Sequence, residues 1–316
     1  MFDNPLDLIQ SIKNKRILLV GDTIIDKNTY GTLLGTSAET PTIVAERKSS
    51  NYSLGGAFLV ARNLITLGAK VTFITLSGDD ENTFLIDDMR DENLTTIIIS
   101  DLKRPTTIKS RYWVDDYKLL QFDSVDNSAV DEHISEKIYT SIMENIDKNE
   151  LLIFSDYRHG MLTSELISKS LELAKSSKKT SIVDSQISQI KSNHKDYKGA
   201  NVFLLNKKEA QEVLGKSKFK PAKEVLQKIK KTLEADELIV KLGSEGCVGL
   251  IKNQFSVADS IDVDVVDTCG AGDAYLAAYS FVYSELDLES RLSFSNFWAG
   301  KSTETHGANP PIMSDL

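Results

Sequence analysis

The sequence predicts an α/β fold: a mostly parallel sheet with helices packed on it, and a small β-sheet lid inserted in the same domain. Three observations carry this expectation. Short apolar runs such as Ile17–Val20, Leu151–Phe154 and Leu238–Val240 each end in polar or charged residues, which is how buried parallel strands read when their C-terminal ends open into loops. Strand-like and helix-like segments alternate, most regularly from about residue 131 onward, as strands joined by crossover helices do. Two stretches, approximately 27–54 and 101–124, break that alternation with short strand-like segments and no helical period.

In chain order, residues 5–13 read as a short helix, and Arg16–Gly21 as a buried strand that opens at Asp22. In open α/β sheets ligands bind beyond such strand ends. Asp22 and Asp26 therefore have carboxylates placed to accept hydrogen bonds from sugar hydroxyls, although an Asx turn leaving the strand explains them as well. The first lid stretch contains strand-like Thr42–Glu46. Gly55-Gly56 then precedes an amphipathic helix with Ala57, Val60, Ala61, Leu64 and Leu67 on one face, stopped by Gly68. The paired glycines suit either a ligand approaching the backbone at a helix start or a hinge between lid and core.

Val71–Leu76 is the next strand, a helix follows over roughly 81–91, and Thr95–Ser100 leads to the second lid stretch. There, over Thr106–Phe122, Lys109, Arg111 and Trp113 alternate with Ile108, Ser110, Tyr112 and Val114. Lys109 and Arg111 thus share one strand face, and two cations on one face suit a sugar phosphate better than a neutral sugar; solvated lid residues are the plainer alternative. Paired together, the two stretches form a lid that excludes water from a reaction in which water competes as acceptor. Exposed strand edges on that lid also offer a place to join two subunits into a homodimer.

Beyond residue 131, helix 131–146 leads to strand Leu151–Phe154, which ends at Ser155-Asp156-Tyr157-Arg158-His159-Gly160. Helix 163–176 leads to strand Ser181–Asp184. Val202–Leu205 ends in Asn206-Lys207-Lys208-Glu209, and Leu238–Val240 ends in Lys241-Leu242-Gly243-Ser244-Glu245-Gly246. Residues 247–251 and 254–258 read as a hairpin around Asn253.

The stretch with the most chemistry is Asp267-Thr268-Cys269-Gly270-Ala271-Gly272-Asp273, which runs straight into apolar Ala274–Val282. Glycines one residue apart permit a tight turn whose N–H groups converge, and a helix starting there adds unpaired N–H groups and the positive end of its dipole. The result is an anion hole with the Asp273 carboxylate at its lip. That pairing suits phosphoryl transfer, in which an alcohol loses a proton while the charge on the phosphoryl group is stabilised. A helix start with an acidic first turn is the simpler reading of the motif alone.

Composition narrows the function. Hydrophobic and charged contents of 41% and 26% are ordinary for a globular chain of 316 residues. A formal net charge of −9 argues against nucleic acid or an anionic membrane as partner. Cys247 and Cys269 are too few and too far apart for a disulfide framework or a zinc site. Residues 1–5 lack the features of a signal peptide, and no apolar run approaches the ~20 residues of a membrane span. A cytoplasmic enzyme with residues 1–316 as one domain is expected.

Taken in order, Gly55-Gly56, Asn206-x-x-Glu209, Lys241-x-Gly243-x-x-Gly246 and Asp267–Asp273 resemble the motifs of the ribokinase-like (PfkB) carbohydrate kinases, over essentially the whole chain. The last motif differs from the usual D-T-T-G-A-G-D only at Cys269. The resemblance implies a Rossmann-type three-layer sandwich and transfer of the γ-phosphoryl of ATP, with Mg2+, to a sugar hydroxyl. A potassium ion near the 267–273 loop is common in the family and is the optional second cation. Asp273 would be the base, and Gly270, Ala271 and Gly272 the donors to the transferring group. Asn206 and Glu209 would position Mg2+ and the nucleotide phosphates through water, although the pair also reads as a helix capping box. Lys241, Gly243 and Gly246 would lie along the nucleotide, with Asn296 and Gly300 near the adenine. Asp22, Asp26, Gly55, Gly56, Lys109, Arg111, Asp156 and Arg158 would face the sugar.

Within the family, Val20-Gly21-Asp22-x-x-x-Asp26, Ser37–Pro41, Pro105-Thr106-Thr107-x-Lys109-x-Arg111 and Ser155-Asp156-Tyr157 are similar to the branch acting on C1 of D-glycero-β-D-manno-heptose 7-phosphate. The likeness is to its kinase part, without the nucleotidyltransferase domain that some homologues carry. Leu59 replaces the Asn that usually contacts the sugar, and Gln121 an Arg. His159 replaces a Lys, and Asp184-Ser185-Gln186 an Asp-Pro-Lys. Three cationic positions are weakened together, with Arg158 positioned to compensate for one. The rival readings are a family kinase for ribose, fructose or a fructose phosphate, and a sugar-binding regulatory protein that kept the fold. Intact Gly270–Asp273 favours catalysis, because a binder has no use for the base.

Overall fold

The computed structural model describes residues 5–12, 14–78, 80, 82–87, 90–187, 192–216 and 218–316. After α1 (Pro5–Ser11) and β1 (Arg16–Gly21), the chain leaves the core as β2 (Thr23–Thr36) and β3 (Ile43–Gly56). It returns through α2 (Ala57–Thr66), β4 (Lys70–Ser77), α3 (Phe84–Asp87) and β5 (Leu94–Ser100), then leaves again as β6 (Ile108–Val114) and β7 (Tyr117–Ser124). The alternation that follows is α4 (Glu132–Asn145), β8 (Leu151–Asp156), α5 (Ser164–Ser176), β9 (Thr180–Ser185), β10 (Val202–Asn206) and α6 (Lys207–Leu214). The chain finishes with α7 (Lys223–Leu233), β11 (Glu237–Lys241), the hairpin β12 (Cys247–Ile251) and β13 (Gln254–Ala258), α8 (Ala271–Phe281) and α9 (Leu288–Ser302).

Among the described residues, nine strands form the main sheet in the order β13-β12-β11-β10-β9-β8-β1-β4-β5. Neighbours from β11 through β5 run parallel, and the β12–β13 hairpin adds an antiparallel edge. β1 explains why such strands read as unbroken apolar runs. Ile17 and Leu19 face the layer of α2, α8 and α9, while Leu18 and Val20 face the layer of α4, α5, α6 and α7. Both faces are covered, so successive residues are all buried. Side chains cap the covering helices: Asp131 accepts from Ile134 N, Thr163 from Leu166 N and Asp287 from Ser290 N.

The helix expected over 81–91 is seen as Phe84–Asp87; residues 81, 88 and 89 lie outside the described set, as does residue 13 at the end of the first predicted helix. α7 and α9 are additional to the predicted elements. α7 begins at Ala222 with no side-chain cap, and α9 is buried on several sides, so no single apolar stripe marks it. No helix of the described residues is long and apolar enough to cross a membrane.

The two excursions form a second sheet in the order β3-β2-β6-β7. Within the second stretch Asp115 and Asp116, with φ of 47° and 64°, turn the chain between β6 and β7 into a hairpin. Aspartate tolerates that left-handed conformation better than most residues, and two in succession suit a tight hairpin turn. β2 pairs parallel with β6, setting Asp26 opposite Lys109 and Asn28 opposite Arg111. Asp26, Lys109 and Arg111 line the cavity described below. The other face carries Tyr52, Tyr112, Leu120 and Phe122, each 39–67% exposed.

Candidate active site

A cavity of about 940 Å³ lies where the C-terminal ends of β9, β10 and β11 meet the lid and the start of α8. Asp26, Gly55, Gly56, Lys109 and Arg111 line it from the lid, and Asn206, Glu209, Lys241, Gly243 and Gly246 from the strand ends and the turns after them. Gly270, Ala271, Gly272 and Asp273 line it from α8, and Asn296 and Gly300 from α9. Residues more than 200 positions apart in the sequence are thus brought to one place.

The α8 start has the geometry that an anion site needs. Gly270 is its N-cap in a left-handed conformation, φ 83°, and a Cβ there would lie 2.4 Å from Leu59 Cδ2. Glycine meets both demands without backbone strain or a shift of the Leu59 side chain. Ala271 N bonds Thr268 O and Ala274 N bonds Gly270 O, while the N–H groups of Gly272 and Asp273 have no acceptor among the described residues. These two donors, at the positive end of the helix, face the cavity. Lys241 Nζ stands 3.8 Å from where a Cβ of Gly272 would be and bonds Asp184 at the end of β9.

Asp273, in the first turn of α8, accepts a 2.5 Å hydrogen bond from the Tyr157 hydroxyl at Oδ1. Enclosure by protein pushes its pKa up to about 7; the Tyr157 hydrogen bond and Lys241 oppose that, while Asp184 and Asp26 add to it. A carboxylate poised near neutrality is suited to taking a proton from an alcohol. Burial would by itself lower the pKa of Lys241, but Asp184 and Glu209 beside it outweigh burial and raise it.

Asn206-x-x-Glu209 forms the helix capping box that its spacing allows. Asn206 Oδ1 accepts from Glu209 N at 3.0 Å, and Glu209 returns the contact from Asn206 N at 2.6 Å, a complete capping box in the cavity wall. Glu209 Oε1 also accepts from Asn206 Nδ2 at 2.6 Å. Burial followed by the nearby Asp184 pushes the pKa of Glu209 up to about 7, against the opposing pull of Lys241 and of the backbone donors of Asn206 and Ile187. This site would be relieved by a cation. Among the described residues no group of three or more His, Cys, Asp or Glu is arranged to hold a metal by itself. The donors fit Mg2+ arriving on nucleotide phosphates and touched through water.

Three of the residues expected to face the sugar do not line the cavity. Asp22 is 4% exposed and its carboxylate accepts from Tyr157 N at 2.9 Å. β1 lies beside β8 in register Gly21–Ser155, so Asp22 meets the turn after β8 and satisfies its backbone. Burial, then neighbouring Asp156, push its pKa up to about 7. Asp156 is likewise buried and accepts from Arg158 N, Asn193 Nδ2, Tyr197 OH and Ser185 Oγ at 2.7–3.1 Å. Arg158, left-handed at φ 66°, turns its guanidinium towards Asp156, 4.0 Å away, so it adds no charge to the cavity wall. All three brace the turn that carries Tyr157.

The sequence departures have definite places. His159, 52 residues from its hydrogen-bond partner Thr107, is held neutral at pH 7: burial, then Lys109, lower its pKa to about 4. It does not replace a lysine's charge. Gln121 spends its amide on Asp123, Ser185 is buried against Asp156 and Asn193, and Leu59 packs into the cavity wall by Gly270. Asp26 is neutralised by Arg111 at 2.5 Å. Gly55 leaves room for that carboxylate, since a Cβ there would come within 2.6 Å of Asp26 Oδ2. Asn296 uses its amide to hold Ala258 O and Asp259 O, both at 2.9 Å, and Gly300 lets Ile261 approach α9. Ile261, Val263 and Val265 supply an apolar edge there, signalled in sequence only by their alternation with aspartates. Tyr157 and Asp184 had no role assigned from sequence; their partners are 116 and 57 residues away, beyond any local pattern.

Free N–H donors for a transferring phosphoryl group, beside a carboxyl ready to take a proton, define a phosphotransferase with an alcohol group as acceptor. The chain belongs to the pfkB family of carbohydrate kinases, matched over residues 14–315. It is 30% identical over 308 residues to the bifunctional protein HldE of Helicobacter hepaticus, covering 93% of this chain and 63% of that one. With HldE of Aliarcobacter butzleri it shares 30% over 311 residues, 96% of this chain and 64% of the relative. The chain therefore spans less than two thirds of the length of these curated relatives. Phosphofructokinase-2 from Escherichia coli in complex with potassium superposes with a TM-score of 0.78 at 19% identity, covering 96% of both chains. The same enzyme in complex with substrates and products gives 0.77 at 20%, over 95% of this chain and 96% of that one. At those identities the likeness concerns the fold.

Proposed function

We propose that this carbohydrate kinase uses MgATP to phosphorylate a hydroxyl of a sugar phosphate, best matched by C1 of a heptose 7-phosphate. Lys109 is the observation that carries the phosphosugar reading. It lines the lid side of the cavity and makes no ion pair among the described residues, whereas Arg111 is paired with Asp26 and Lys241 with Asp184. An unpaired ammonium in a cavity wall favours a charged acceptor. The heptose assignment rests on the Ser155-Asp156-Tyr157 and Pro105–Arg111 signatures and on the likeness to HldE. The lost lysine at His159 and the unavailable Arg158 favour, as second reading, another phosphosugar with lighter phosphate recognition.

In this reading the nucleotide lies along Asn206, Lys241, Gly243 and Gly246, with its base between Ile261 and α9. The acceptor hydroxyl meets Asp273, which takes its proton as the oxygen attacks the γ-phosphorus and the bond from that phosphorus to the β-phosphate oxygen breaks, releasing ADP. The Gly272 and Asp273 N–H groups hold the phosphoryl oxygens as their charge redistributes, and the lid keeps water out. Glu209 would hold Mg2+ through water, and the ion would supply charge neutralisation on the phosphates; potassium near the 267–273 loop would be the optional addition.

The test is Lys109→Ala. KM for the phosphorylated acceptor should rise about 10–100-fold, the worth of one hydrogen bond to a charged group, with little change in KM for ATP. An equal effect on an unphosphorylated sugar, or no effect on either, contradicts the phosphosugar reading. The exposed face of Tyr52, Tyr112, Leu120 and Phe122 is the place for a second copy of the chain. A dimer mass in solution that Phe122→Glu converts to monomer is expected; a monomer at working concentration refutes it.

A further inference from the structure

Tyr157 stands between the two networks of the site. Its backbone N–H is held by Asp22, and the turn that carries it is braced by Asp156, which gathers donors from Ser185, Asn193, Tyr197 and Arg158 N. Its hydroxyl reaches across the cavity wall to Asp273 Oδ1 at 2.5 Å. Oδ2 of the same carboxylate has no hydrogen-bond partner among the described residues.

We infer that Tyr157 is a positioning residue for phosphoryl transfer: by occupying Oδ1 it fixes the Asp273 carboxylate and presents Oδ2 to the acceptor hydroxyl. This rests on the reading of Asp273 as the base. Other groups facing Asp273 are less suited to that task. Lys241, at the end of β11, is bonded to Asp184 at the end of β9, and neither hydrogen-bonds Asp273. Asp26 of β2 is paired with Arg111, and Cys269 lies in the loop before α8 with its N–H on Asp267. Tyr157 is thus the one hydrogen-bond donor to this carboxylate among the described residues. It also stays a donor over the working pH range, because burial and then the charge of Asp273 raise the pKa of its hydroxyl well above the ordinary value.

The sign of the expected effect follows from the donor. A hydrogen bond to the carboxylate favours its charged form. Its removal leaves the base protonated to a higher pH and free to rotate. Tyr157→Phe should therefore move the acid limb of the kcat/KM profile up by about 1–2 pH units, the worth of one hydrogen bond to a charged group. At pH 7 the rate should fall about 5–50-fold, be largely regained at alkaline pH, and leave KM for both substrates little changed. Site-specific 3-fluorotyrosine, a stronger donor of nearly the same shape, should move the limb the opposite way and covers the case in which the Phe variant does not fold.

A loss that is uniform across pH, or an unmoved limb in both variants, overturns the inference and makes Tyr157 a packing residue. Asp273→Asn run alongside separates the two readings. Full activity in that variant removes the base itself, whereas its inactivation together with an unmoved limb in the Tyr157 variants rejects only the positioning role.

Discussion

Asp273→Asn is expected to lower kcat about 10²–10⁴-fold, the usual worth of general-base catalysis, while leaving ATP binding and the fold in place. The substitution should also raise the melting temperature at pH 8. The carboxyl's pKa in the folded protein is about 7, far above the ordinary aspartate value. The unfolded chain therefore gives up this proton at lower pH than the folded one. Between the two pKa values the folded state binds more protons, so stability falls as pH rises and the loss is complete above about pH 7. A neutral amide of the same shape escapes that loss. Melting curves of the two proteins should converge near pH 3 and separate towards pH 8, with the variant higher. Wild-type kcat/KM should in turn show an acid limb with a midpoint near pH 7 that the variant lacks. A variant with wild-type turnover, or one less stable at pH 8, contradicts the assignment of Asp273 as an enclosed base held for catalysis at the expense of stability.

The second large effect concerns stability more than rate. Lys241 and Asp184 are 15% and 11% exposed and pair in the cavity wall beside Glu209. Lys241→Met removes the cation and leaves two carboxyl groups facing each other with little solvent. The cost should lie towards the lower end of the ~3–5 kcal/mol typical of breaking a buried pair, because the cavity admits some water. The sign with pH is again fixed. Burial already pushes Glu209 up to about 7, and losing Lys241 raises it further. The destabilisation is therefore greatest at alkaline pH and shrinks as pH falls and Glu209 becomes protonated. Urea titrations of both proteins at pH 6 and pH 8.5 measure this; a deficit equal at both pH values would mean that Lys241 acts by packing alone. The variant should also lose affinity for ATP, since the same ammonium stands beside the α8 start.

These effects show what local sequence could and could not disclose. The parallel sheet was legible because each strand is buried on both faces, and the lid because its residues keep a period of two while their surroundings keep the helical one. The cavity-lining turns at Asn206–Glu209, Lys241–Gly246 and Gly270–Asp273 were legible because glycine spacing, a capping box and a helix start are local events that bring their own backbone donors. The surroundings of Asp22, Asp156 and Arg158 were harder to read. Asp22 and Asp156 sit at strand ends, where carboxylates commonly meet ligands, but their direction is set by the neighbouring strand and by turns that need acceptors. Arg158 follows Asp156 for the same reason. Tyr157 had no local signal for its contact with Asp273, because the hydrogen bond spans 116 residues and exists only once β8 and α8 are packed.

The central claim is that this chain phosphorylates a sugar that already carries a phosphate. The most direct measurement is ATP consumption, with Mg2+ and potassium, against matched pairs of free and phosphorylated sugars that include heptose 7-phosphate. The account predicts turnover of phosphorylated acceptors, highest for the heptose phosphate, with the free sugars slower by the margin that Lys109→Ala erases. Efficient turnover of free sugars alone, or nucleotide binding with no turnover of any acceptor, would contradict it.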